Sequence, residues 1–181
     1  MPWFDSETNL TSFFRLLAPV PGERILDVGA GRGVLAEKVR TKGNCEVWAV
    51  DRDKKRVATM QRNYPLLRSC EADSESLPYT DSHFDKVYTT LALHHFPDQR
   101  RSIQEFSRVL KPAGSLLIAE VLPRSAQGLF MRMLENGIMR SHLRFLEIDQ
   151  LAGILREQGR FQTRTTTVIS SIYLVGSTKV G

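Results

Sequence analysis

Short apolar runs alternate with amphipathic stretches along most of this chain, the pattern of buried strands covered by helices. Residues 25–28 are apolar and β-branched-rich, interrupted only by Asp27, and predict a strand buried on both faces. Similar runs at 46–50, 67–72, 84–90 and 115–121 predict four more strands. Between them, residues 34–39 and 54–64 read as helices, the second closed by Pro65. Asp98 is the expected N-cap of another helix, in which Ile103, Phe106, Val109 and Leu110 form an apolar stripe. Lys111, Pro112, Ala113 and Gly114 read as a turn, and residues 148–158 as a last helix stopped by Gly159. Residues 161–168 and 170–178 are strand-like with only a short link, which predicts a terminal antiparallel pair. Near the start, 3–17 reads as a helix with Leu10, Phe13, Phe14 and Leu17 on one face.

Chemistry enters where the first strand ends. Gly29, Gly31 and Gly33 alternate directly after it, giving a turn that tolerates positive φ and presents no Cβ to a ligand. The helix that follows turns its free N–H groups toward this loop. An ordinary tight turn would leave the same trace, so the later acids matter. Asp51 ends the second strand, where a carboxylate is well placed to accept two hydrogen bonds from a ribose diol. Asp73 ends the third. In an open parallel sheet, Asp27, Asp51 and Asp73 therefore face one crevice. A nicotinamide-dinucleotide domain shares the glycines and the second acid, but its fingerprint places Gly or Ala where this chain has Val34. Asp27 also suits an ammonium group better than a pyrophosphate.

These pieces resemble the class I S-adenosylmethionine-dependent methyltransferases, and more closely the small-molecule branch that includes ubiquinone and menaquinone biosynthesis C-methyltransferases. The resemblance rests on ILDVGAGRG (25–33), WAVDRD (48–53), EADSESLPYTDSHFDKVYTTLALHHF (71–96) and RVLKPAGSLLIAEV (108–121). It implies an α/β, Rossmann-like sheet of seven strands in the order 3-2-1-4-5-7-6, strand 7 antiparallel, with helices on both faces. It implies S-adenosyl-L-methionine as cofactor: Asp27 and the three glycines at its methionine end, Asp51 at the ribose hydroxyls, Asp73 at the adenine amine with the Ser74 amide facing the ring. The Leu91 carbonyl would meet the methionine amine. Arg52 departs from the family, which often places an apolar residue against adenine; a guanidinium plane stacks there equally well. The implied organisation is one domain over 1–181: a lid helix at 1–21, a cofactor core at 22–121, a substrate-side cover at 122–147, and a closing helix and hairpin at 148–181.

Composition narrows the partners. With 181 residues and 41% hydrophobic content the chain can bury a core of its own. No basic and apolar leader opens it and no apolar run approaches membrane-spanning length, so a soluble, cytoplasmic protein is expected. Cys45 and Cys70 lack metal-ligand spacing and read as reduced thiols, so no metal is expected. A net charge of +5 without a contiguous basic stripe or an added module disfavours nucleic acid. RNA or protein methylation, and a cofactor-binding scaffold without turnover, stay as alternatives to a small-molecule methyl acceptor. The acceptor walls fall to the variable ends: Trp3 and Phe4 as a lid, and 124–146, rich in Arg and Met, as a cover or a surface that touches lipid headgroups. His94, with His95 beside it, follows the fourth strand and is the expected general base.

Overall fold

Alternating side chains along each central strand feed two apolar layers, one on either side of a twisted sheet. The computed structural model describes residues 7–126, 128–130, 144–158, 160–169 and 171–180. Its strands are β1 (Arg24–Val28), β2 (Glu46–Asp51), β3 (Arg68–Glu71), β4 (Phe84–Thr90), β5 (Leu110–Val121), β6 (Phe161–Ile169) and β7 (Ile172–Lys179). They form one sheet in the order β3-β2-β1-β4-β5-β7-β6. β1 pairs in parallel with β2 and β4, β2 with β3, and β4 with β5, whereas β7 runs antiparallel to both β5 and β6. This is the fold and strand order that the resemblance implied.

Helices α1 (Glu7–Leu17), α2 (Val34–Gly43) and α3 (Lys54–Asn63) cover one face, and α4 (Gln99–Val109) and α5 (Ile148–Glu157) the other. In β1, Ile25 joins the first layer with Phe13, Val39 and Met60, while Leu26 and Val28 join the second with Ile103 and Phe106. Asp27 is therefore a carboxylate inserted on the same face as Ile25, inside the α1–α3 layer. Phe13 and Leu17 are buried, with Leu10 and Phe14 partly so, as the helical spacing predicted. Asp98 caps α4 by accepting the Arg101 N–H at 3.0 Å.

One boundary differs in kind from its prediction. Residues 111–114, read as a turn, lie inside β5, which begins at Leu110. The β4–β5 register shifts between Phe84 and Lys86, and Ala113 has φ +62. A bulge therefore absorbs the Pro-Ala-Gly sequence without ending the strand. Trp3, Phe4, residues 131–143 of the expected cover and Gly159 lie outside the described residues. No helix among those described is long and apolar enough to cross a membrane.

Candidate functional site

The strand order reverses between β1 and β4, and the loops at the carboxyl ends of β1, β2, β3 and β4 meet there around a cavity of about 570 Å³. Ligands bind at this switch point in open α/β sheets. The loop after β1 forms its floor. Gly29 and Ala30 donate their N–H groups to Val50 O at 2.9 Å each, tying the loop to β2. Gly31, at φ +60, lines the cavity, and a Cβ built on it would meet no atom within 4 Å. The space a side chain would fill is left open beside the backbone.

Gly33 has a different role. It does not line the cavity; at φ +80 its missing Cβ would lie 2.3 Å from Met60 Cγ, so it lets the start of α2 pack against α3. Of the ten residues proposed from sequence, eight line the cavity, Gly33 and His94 being the two that do not.

The acids are held in distinct ways. Asp27 is 1% exposed, and its Oδ1 has no hydrogen-bond partner among the described residues. Burial is the main cause that pushes its carboxyl up to about 8; the neighbouring Tyr88 hydroxyl pulls the other way, and the charge of Asp51 adds to the rise. Asp51 is also buried, but it accepts the Gly31 N–H at 2.8 Å and the Asp53 N–H at 2.9 Å. It thus joins the glycine loop to the start of α3. Arg52 and Asp73 stand on the cavity wall with Ser74. The segment carrying these last two is braced by α4: Ser74 Oγ lies 2.8 Å from Ser102 Oγ, and the Leu77 N–H donates to Glu105 at 2.8 Å. Arg108 donates to the carbonyls of Leu77 and Tyr79 from the same helix.

Leu91 lines the cavity at φ +50, a left-handed conformation that costs a branched side chain energy and clusters at functional sites. Its N–H donates to Ala119 O at 2.9 Å, so β5 holds the strained residue in place.

The two histidines that follow part company, and His94, the expected base, is not the one on the cavity wall. His94 is 2% exposed and turned into the protein; its Nδ1 lies 2.6 Å from Glu120 Oε2, which also accepts the His94 main-chain N–H at 2.9 Å. Its ring stacks on Phe145 at 4.6 Å. His95 is the one that lines the cavity, beside Ala92, Phe96 and Pro97. Burial, then the adjoining His94 and the cations Arg56 and Arg52, push its imidazole down to about 4. It is therefore neutral around pH 7. Both residues lie in or beside a 3₁₀ turn, Leu93–His95, where successive side chains point about a third of a revolution apart. Adjacency in sequence carried no signal of which one faces the crevice.

Comparison with known proteins places the chain in a family. The family Methyltransf_11, described as a methyltransferase domain, matches residues 26–118, just over half of the chain. The chain is 30% identical over 166 residues to the 27-O-demethylrifamycin SV methyltransferase of Amycolatopsis mediterranei, covering 86% of this chain and 60% of that protein. It is 37% identical over 107 residues to the ubiquinone/menaquinone biosynthesis C-methyltransferase of Laribacter hongkongensis, covering 55% of this chain and 43% of that protein. The chain thus spans 60% or less of the length of either relative. In fold it is similar to an S-adenosylmethionine-dependent methyltransferase from Mesorhizobium loti, with a TM-score of 0.84, 18% identity, and coverage of 97% of this chain and 100% of that one. The fold and cavity define the class I S-adenosylmethionine-dependent methyltransferases. Within that class the chain belongs to the Methyltransf_11 methyltransferase domain family.

Proposed function

We propose that the protein transfers a methyl group from S-adenosyl-L-methionine to a small-molecule acceptor. The observation that carries this reading is the cavity itself, which gathers Asp27, Gly31, Asp51, Asp73 and Leu91 from the carboxyl ends of four strands and the loops that follow them. Their chemistry fits the cofactor. A buried carboxylate with an unpartnered oxygen suits an ammonium group, and the open space at Gly31 admits close approach. Asp51 keeps lone pairs for the ribose hydroxyls while the loop N–H groups fix its rotamer. Asp73 and Ser74 would take the adenine edge, with Arg52 against the ring face.

When bound, the cofactor supplies an electrophilic methyl on a sulfonium, so the chemical activation comes with it. The chain's share is alignment, exclusion of water and handling of the acceptor's proton. The Leu91 carbonyl and Asp27 would fix the methionine end. His95, neutral and on the wall, is the side chain we assign to accepting the proton, with Glu120 holding His94 and thereby the turn on which His95 stands. The relatives named for quinone and rifamycin chemistry favour an acceptor bearing hydroxylated aromatic rings, and Phe96 and Leu91 offer such a molecule apolar wall.

Incubation with methyl-labelled S-adenosylmethionine and 1,4-dihydroxynaphthalene, beside amine and carboxylate acceptors, tests the reading. Label is expected in the naphthalene product. Replacing His95 with Phe is expected to lower turnover by roughly a hundredfold, the usual scale of a lost acid or base. Affinity for S-adenosylhomocysteine would be preserved. Binding of cofactor with no label in any acceptor would favour a scaffold instead.

A further inference from the structure

We propose that Gln99 is a positioning residue for methyl transfer: its carboxamide ties the turn that carries His95 to the returning segment 144–146, and so sets where the His95 imidazole stands on the cavity wall. This rests on the methyltransferase reading and on the role assigned to His95, and it deepens both.

Gln99 opens α4, and it is buried although its neighbours Pro97, Asp98, Arg100 and Arg101 are all exposed. Burying a carboxamide costs free energy unless its N–H groups find partners. Both do. Nε2 donates to Leu93 O at 2.9 Å and to Arg144 O at 2.5 Å, which uses the full donor capacity of an amide nitrogen. The first acceptor belongs to the 3₁₀ turn Leu93–His95, and the second lies 45 positions beyond Gln99. An apolar side chain would fill the same space, but it would leave those two carbonyls without this donor and the turn without a fixed direction.

The same junction is closed from the other side. The Arg144 N–H donates to His94 O at 3.2 Å, and the Phe145 ring stacks on the His94 ring at 4.6 Å with 22° between their planes. Leu146 O accepts the Tyr173 hydroxyl at 2.8 Å, so the segment that holds the turn is itself anchored to β7. His95 is the next residue along, its own N–H bonded to Ala92 O at 2.9 Å and its side chain on the cavity wall. The charged and titratable groups that act on its ring are His94 from the same turn and Arg56 and Arg52 from the β2–α3 side, after burial as the main cause of its lowered proton affinity.

Gln99→Met keeps the length and helix propensity of the side chain and removes both donors. With 1,4-dihydroxynaphthalene as acceptor it should lower kcat by about tenfold, the scale of a small misplacement of a reacting group. Affinity for S-adenosylhomocysteine, measured by calorimetry, should stay within about twofold. In a His95→Phe background the same change should cost nothing further, because it acts through His95. Nuclear magnetic resonance titration of the His95 ring reads its surroundings without turnover: water admitted to a loosened turn should raise the midpoint from about 4 toward 6.5. Phe145→Leu removes the stacking without removing a hydrogen bond and should act in the same direction, so it decides the matter if circular dichroism shows Gln99→Met unfolded. An unmoved midpoint would overturn the proposal. So would a loss of kcat that persists in full without the His95 ring, or one matched by an equal loss of S-adenosylhomocysteine affinity. A native protein that binds no S-adenosylhomocysteine and labels no acceptor would overturn the methyltransferase reading, and this assignment with it.

Discussion

At the scale of single residues, the oddest choice in the chain is Asp27, an acid placed in β1 between the apolar Leu26 and Val28. Its position in the face of Ile25 costs the free protein a charge it can barely hold, since burial pushes the carboxyl up to about 8. An ammonium ligand reverses the preference, because it favours the ionised form. Binding of S-adenosylhomocysteine near neutral pH therefore releases a proton, and affinity should rise from pH 6 to about 8 by up to roughly tenfold per unit, then level off. Calorimetry in buffers of different ionisation enthalpy counts that proton; a flat affinity over the interval would refute the coupling. The free protein carries the opposite sign. Unfolded, Asp27 loses its proton at about 4, so over the window up to about 8 the unfolded state binds fewer protons and stability falls as pH rises. His95 works against this below about 6.5, because the unfolded imidazole binds a proton that the folded one, pushed down to about 4, refuses. The net decline should thus be visible between pH 6.5 and 8. Asp27→Asn should remove it.

Elements show a clean division between what pattern reveals and what it hides. The strands and helices were legible because their apolar periods, 2 or unbroken for strands and 3.6 for helices, are consequences of burial itself. Asp98 was legible as a cap for the same reason: its side chain acts within three residues of its own position. The loops after β1 and β4 were only half legible. Glycine marked where backbone had to bend, but Leu91 adopts φ +50 with nothing in its identity to announce it, because the constraint comes from β5 across the sheet. Nor did three similar glycines disclose different duties. Gly33→Ala drives a Cβ to 2.3 Å from Met60 Cγ at φ +80, so it should cost about 1–3 kcal/mol, read as a lower denaturant midpoint. Gly31→Ala meets open space at φ +60 and should lose only about 1 kcal/mol of stability. Its penalty falls instead on S-adenosylhomocysteine affinity. Equal effects of the two changes on both measurements would contradict the separate roles.

For the whole molecule, the ends of the parallel strands β1 to β4 line the cavity, and the antiparallel hairpin stands outside its lining. β1 to β4 supply the loops that line the cavity, while β5 and β7 bury Glu120 and Tyr173 behind them, and the Tyr173 hydroxyl donates to Leu146 O at 2.8 Å. The returning segment 144–146 is thereby fixed against the His94 turn, where the Arg144 N–H donates to His94 O at 3.2 Å. This long-range arrangement was hidden in sequence, since it joins residues 27 and 50 positions apart through contacts that no local period records. Cofactor binding should consequently stabilise the entire domain rather than one loop, since four strand ends share the ligand. At a ligand concentration a hundred times Kd, linkage contributes about 2.7 kcal/mol, which for a chain of this length raises Tm by roughly 5–10 °C. Calorimetric melts with S-adenosylhomocysteine should show a single transition displaced upward by that amount. Asp73→Asn, which alters a wall residue outside any ion pair among the described residues, should leave the ligand-free Tm nearly unchanged and shrink the displacement at equal ligand. A native Tm that neither S-adenosylmethionine nor S-adenosylhomocysteine moves would remove the cavity from consideration as the cofactor site. A split transition would show that the hairpin half melts independently of the half that holds the ligand.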